Sequence, residues 1–226
     1  MLFRSYNEAN KLGTALGYNE FVNLAKGGSS NRRIIRTTVE YIEQNSADFV
    51  LLGLTFWDRQ EAAFLKTQPH RDNWISYNPH GVQGLFAPDN AEFIFDASRS
   101  RIEKYIADSY VYNFNIMYLD QLMCDLLMFT SYLEQKNIKY LIFNTCELEY
   151  KNYFENFNNL YQRSIEKNKR IVSLTDFVSN LYLHSVNATH DPNEKRWEPN
   201  AIHYNGNEYR HVNEFLLNYM QTNNLL

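Results

Sequence analysis

The chain has 226 residues, 44% of them hydrophobic and 21% charged, which fits one folded domain with a real core and excludes disorder, collagen-like repeats and acidic solvating tails. A net charge of -4, with only 22 lysines and arginines, leaves no broad basic face, so a nucleic-acid partner is not expected. Cys124, in a helical pattern, and Cys146, at the end of a strand pattern, give neither a disulfide framework nor paired metal-ligand spacing, and a reducing compartment is expected.

The first residues lack a secretory apolar region, and no window reaches the roughly 18 apolar residues of a membrane span, so a soluble protein with no membrane partner is expected. Residues 6–16 read as a helix: Ala9, Leu12, Ala15 and Leu16 share a face, Ser5 and Glu8 have capping-box spacing, and Gly17 stops it. Residues 20–25 read as a short strand that runs through the turn Lys26, Gly27, Gly28, Ser29, Ser30, Asn31 into a helix carrying Ile34, Ile35, Val39 and Ile42. The apolar run 48–56 predicts a buried parallel strand, 140–144 a second, and 170–174 a weaker third.

Between the first two of these runs, residues 57–98 are rich in Pro, His, Asn and Gly and read as a long loop excursion of the kind that carries function. Helical spacing follows over 100–136, through Ile102, Tyr105 and Ile106, then Leu119, Leu122, Met123, Leu126, Leu127, Phe129 and Leu133. Further helices are expected at 150–166, 174–183 and 212–219. Strands alternating with helices predict a single α/β domain over 1–226, a three-layer sandwich around a mainly parallel sheet. Ligands of open α/β sheets bind beyond the carboxyl ends of the strands, which singles out 27–31, 55–59, 144–147 and the His-containing C-terminal segment as one rim.

Asn200, Ala201, Ile202 and His203, followed by a turn at Asn205 and Gly206 and an apolar helix, resemble the last block of the SGNH (GDSL-like) hydrolases. The segment from Asn23 through Gly27 and Gly28 to Asn31 looks like the family's strand and oxyanion-hole glycine, and 48–53 resembles its next strand. The order of blocks is similar to that of divergent bacteriophage members. The resemblance implies a flavodoxin-like three-layer fold and acyl-ester hydrolysis without a cofactor, on a small-molecule or carbohydrate ester. His203 would be the general base, and Gly28 or Gly27 an oxyanion donor. Asn200 stands where the family has Asp, and Thr55 where it has Asn. Localisation would be the host cytoplasm or the virion, and the alternative to an enzyme is a non-catalytic binding or virion-associated protein of the same fold.

The family's first strand, ending in Gly-Asp-Ser, has no full counterpart here. Ser5 reads either as a remnant of that block, the nucleophile, or as a helix N-cap. If that strand is absent, a gap or substitute strand is expected beside 20–25, and a partner chain, as in a homo-oligomer, is one way to fill it. Ser29 and Ser30 likewise read as caps or as an anion-binding turn, with Asn31 facing the same rim and His211 structural. His70, His80, His184 and His190 lack metal-ligand spacing, so no metal is expected. Asp58, Glu61, Glu147 and Glu149 are candidate rim acids, and Trp57, Trp74 and Trp197 are loop aromatics able to stack on sugars.

Overall fold

In a computed structural model of the chain, the described residues are 6–25, 29–55, 59–65, 74–77, 92–93, 115–144, 165, 167–172 and 206–225. Helix α1 spans Tyr6–Ala15, as its spacing predicts. It ends where Gly17 takes φ of 82°, with the Tyr18 N–H bonded to the Gly13 carbonyl and the Gly17 N–H to that of Thr14, both at 3.0 Å. This is a Schellman closure, and glycine fits it because a Cβ is disfavoured at positive φ.

The strand expected at 20–25 does not form, and 18–25 is irregular. Two side-chain contacts explain the difference. The Asn23 carboxamide accepts the Ala25 N–H at 2.9 Å, turning the chain locally in competition with a ladder. Phe21 lies where a Cβ on Gly13 would overlap its ring, so the missing side chain makes room for it.

Helix α2, Asn31–Gln44, starts at the N-cap Ser30, whose hydroxyl accepts the Arg33 N–H at 3.1 Å. Its buried stripe is Asn31, Ile34, Thr38 and Ile42. Strand β1, Phe49–Leu54, follows and pairs in parallel with Lys139–Asn144, in register from Phe49 opposite Lys139 to Leu54 opposite Asn144.

Between these parallel partners the excursion is not all loop. Strands β2 (Gln60–Leu65), β3 (Trp74–Tyr77) and β4 (Glu92–Phe93) form a small antiparallel sheet in the order β3-β2-β4. Trp, Ile and Tyr in β3 are good strand formers, but so short a run between polar residues depends on its cross-strand partner. Trp74 therefore opens a strand and is not a loop aromatic.

Helix α3 occupies Asn115–Gln135, the second part of the predicted helical region. It closes as α1 does: Asn137 takes φ of 55°, and the Ile138 N–H reaches the Leu133 carbonyl at 2.9 Å. The chain then enters β5, Lys139–Asn144. The third parallel position is a single bridge between Ile142 and Ile171, made by Ile142 N–H to the Arg170 carbonyl and Val172 N–H to the Ile142 carbonyl, each 2.9 Å. Helix α4, Gly206–Thr222, is longer than the predicted 212–219 because its first turns carry no apolar spacing to mark them.

Side chains alternate across β1 and β5 as strand geometry requires. Val50, Leu52, Leu54, Tyr140 and Ile142 pack with α2 and α3, through Ile34, Ile42, Met123, Leu126, Phe129 and Leu133. Leu51, Leu141 and Phe143 pack with α1 and α4, through Leu12, Val212, Leu216 and Met220. The fold is α/β, with a small parallel sheet between helices. No helix among the described residues is long and apolar enough to cross a membrane.

Candidate functional site

The described residues include eight buried polar ones, and five of them, Ser29, Ser30, Asn31, Thr55 and Asn144, gather where the parallel strands end and α2 begins. Buried polar groups are costly unless bonded, so their concentration at one edge needs a physical reason. The reason begins with the backbone of β1.

The Lys139 N–H donates to the Asp48 carbonyl at 3.1 Å, which sets the phase of the ladder. In β1 the backbone groups of Val50, Leu52 and Leu54 turn toward β5, and those of Phe49, Leu51 and Gly53 turn outward. No described strand pairs with this outer edge. Beside it, between β1, α1, α2 and residues 18–24, lies a cavity of about 100 Å³.

Thr55 continues the outward phase, and there the edge is closed by a side chain. Asn31 Nδ2 donates to the Thr55 carbonyl at 3.0 Å, and Asn31 Oδ1 accepts the Thr55 N–H at 2.8 Å. A carboxamide has the donor and acceptor spacing of a peptide unit, so Asn31 substitutes for one residue of a neighbouring strand. It thereby pins the start of α2 to the end of β1.

Arg59 joins the group from the chain just before β2. Its Nη1 donates to Thr55 Oγ1 at 3.0 Å and, at a longer 3.4 Å, to the Ser29 carbonyl. The strand that follows is fixed by Glu61, which meets Arg36 of α2 at 3.2 Å and is only 6% exposed as a side chain. Glu61 is thus an ion-paired anchor and not a solvated rim acid.

Of the residues the sequence nominates, Ser29, Asn31 and Thr55 are brought together, linked through Arg59 and the Asn31 carboxamide. Ser30 is the cap of α2. Ser5, Gly27, Gly28, Asn200 and His203 lie outside the described residues, as do Asp58, Glu147, Glu149, Trp57, Trp197, Cys146 and the four loop histidines. His211 falls on α4. Arg59 ends the 55–59 stretch that the strand ends single out, but its bonds to Thr55 and Ser29 do not follow from its place in the sequence. Among the described residues there is no group of three or more metal-capable side chains. Comparison of the chain with protein-family models, with curated proteins and with solved structures finds no match.

Proposed function

We propose that the chain is an SGNH-like three-layer α/β sandwich that hydrolyses acyl esters slowly, with O-acylated carbohydrates as the substrate class. The observation that carries this reading is the gathering of buried polar residues at the carboxyl edge of the parallel strands, where open α/β sheets bind their ligands. In this reading His203 is the general base, Gly28 or Gly27 and Thr55 hold the oxyanion, and Ser5 is the nucleophile, with Ser29 and Asn31 shaping the wall. Asn200 in place of an orienting Asp keeps turnover low, since that exchange in a serine-protease triad costs about ten-thousand-fold. The host cytoplasm or the virion is the setting that fits.

Release of p-nitrophenol from its acetate ester tests the reading. Because the neutral imidazole is the base, the rate should rise through about pH 6.5, and His203→Ala and Ser5→Ala should each remove it. A rate indifferent to both substitutions would sink the assignment.

A second reading, a binding protein that keeps the fold without the chemistry, is favoured by one contact. Asn31 commits both carboxamide atoms to the backbone of Thr55. Absence of any rate above buffer would put this reading ahead.

A further inference from the structure

We infer that the outer face of α2 and α3 docks a second copy of this chain, across a two-fold axis that seats Met128 of each copy in the groove of the other. This docking is independent of the esterase reading, since no reacting group takes part in it.

Helix α3 is apolar on more than the side that packs on the sheet. Leu122, Met123, Leu126, Phe129 and Leu133 are buried, yet Met117 is 58% exposed and Met128 67%, with the half-buried Cys124 between them. Eleven residues are about three helical turns, so the two methionines lie on one stripe. Apolar side chains on both sides of a helix are expected where both sides are covered.

Beside that stripe, between α3 and α2, a cavity of about 460 Å³ is lined by Ile35, Val39, Met128, Phe129 and Tyr132, with charges at its rim. Both ends are clasped. At one, Arg32 Nε donates to Asp125 at 3.1 Å; at the other, Glu43 accepts from the Tyr132 hydroxyl at 2.6 Å and pairs with Lys136 at 3.0 Å. A groove bounded at both ends takes a compact apolar group. An exposed apolar knob and an apolar hole on the same face are the two halves of an isologous contact, in which one patch serves both copies. Methionine suits the knob, being unbranched and able to fit an irregular gap.

The rim charges are self-complementary as well. Helix α3 carries Asp120, Asp125 and Glu134 and no basic residue, whereas α2 opens with Arg32, Arg33 and Arg36. Two α3 helices face to face repel, so each lies over the partner's α2. Among the described residues Arg32 gives only Nε to Asp125, which receives it at Oδ2, so the Nη groups and Oδ1 remain for the other copy. The axis sets Arg32 of one copy against the partner's Asp125, and the reverse.

The face is also large enough. Helices of 14 and 21 residues, about 10 Å apart and about 20 to 30 Å long, offer about 500 Å² per copy and about 1,000 Å² in a pair, the lower bound of a specific interface. A reversible dimer with Kd of about 1 to 100 μM follows.

Sedimentation velocity of the full chain, from about 1 to about 200 μM, should show this monomer–dimer equilibrium. Met128→Glu, at an exposed position, should raise Kd at least about tenfold, whereas Val22→Glu, at the exposed large hydrophobic outside α3 among the described residues, should leave it within about twofold. Arg32→Glu and Asp125→Arg should each weaken the dimer about tenfold or more. An equimolar mixture of these two variants should recover it, because the mixed pair sets opposite charges together at both contacts. A role confined to holding α2 against α3 within one chain would not be rescued by mixing.

A wild type that sediments as a monomer at about 200 μM overturns the proposal, and uptake of anilinonaphthalene sulfonate by such a monomer, lost in Met128→Glu, would give the groove to a small apolar ligand instead. A dimer indifferent to Met128→Glu, or a charge-swapped mixture that stays monomeric, overturns it too, whatever the rate of ester hydrolysis.

Discussion

The two ends of the parallel sheet both hold buried polar side chains, and they settle them differently. At the amino end the Tyr140 hydroxyl donates to Glu134 at 2.7 Å and accepts from Asn168 at 2.8 Å, so its single hydrogen and a lone pair are both used. Arg170 Cζ lies over the Tyr140 ring at 5.5 Å, and one guanidinium nitrogen, Nη1, is buried with no hydrogen-bond partner among the described residues. At the carboxyl end the Thr55 hydroxyl accepts from Arg59 and has no acceptor for its own hydrogen among the described residues. A polar group closed within the chain supports the fold.

The largest expected effect comes from removing the clamp at the carboxyl end. Asn31→Leu leaves the Thr55 N–H and C=O buried without partners and should cost about 3 kcal/mol in urea unfolding, at about 1 to 3 kcal/mol for each orphaned group. A loss below about 1 kcal/mol would mean that water reaches these groups and that the carboxyl end is no more specialised than the rest of the edge.

At the amino end Tyr140→Phe should cost about 1 kcal/mol and leave any ligand affinity unchanged. Burial first, and Glu134 next, raise the Tyr140 phenol from its ordinary 10.0 to about 12. A phenol raised in this way adds stability that is intact below pH 10 and is lost as pH climbs through its folded value. The wild type should therefore weaken between about pH 10 and 12 more steeply than Tyr140→Phe, as thermal melts across that range would reveal.

Ser30→Ala, which removes the cap of α2, should cost about 1 kcal/mol and Ser30→Gly a few tenths. A change of about 0.5 kcal/mol by urea unfolding is expected for Thr55→Val, because the lost Arg59 bond is partly offset by removal of a hydroxyl that has no acceptor among the described residues. A Thr55→Val protein destabilised by more than about 2 kcal/mol would remove the contrast between the two ends.

How far these features were legible in the sequence depends on whether a side chain acts on its own backbone or on a distant one. The apolar runs of β1 and β5 and the stripe of α2 announce themselves because burial alone fixes them. Gly17 stops α1 for a reason visible in one residue. The segment 20–25 has strand-like alternation, but Asn23 diverts the Ala25 N–H and Phe21 seeks the notch at Gly13, and neither contact is written in periodicity. At the site, strand ends brought Ser29, Asn31 and Thr55 into view. Their actual bonding was not, since it depends on a carboxamide and a guanidinium reaching across 24 and 30 residues.

The Asn31–Thr55 bond pair also sets an order of assembly. It fastens the two ends of a continuous helix–strand unit, α2 followed by β1, whose closure spans only 24 residues. Pairing β1 with β5 requires the antiparallel sheet and all of α3 to be traversed first, a much longer loop that costs more entropy to close. The helix–strand unit is thus the cheaper structure to form early, and β1 meets β5 with one edge already tethered to its own helix. In native-state exchange, the amides of α2 and the start of Thr55 should then open together, as one cooperative unit.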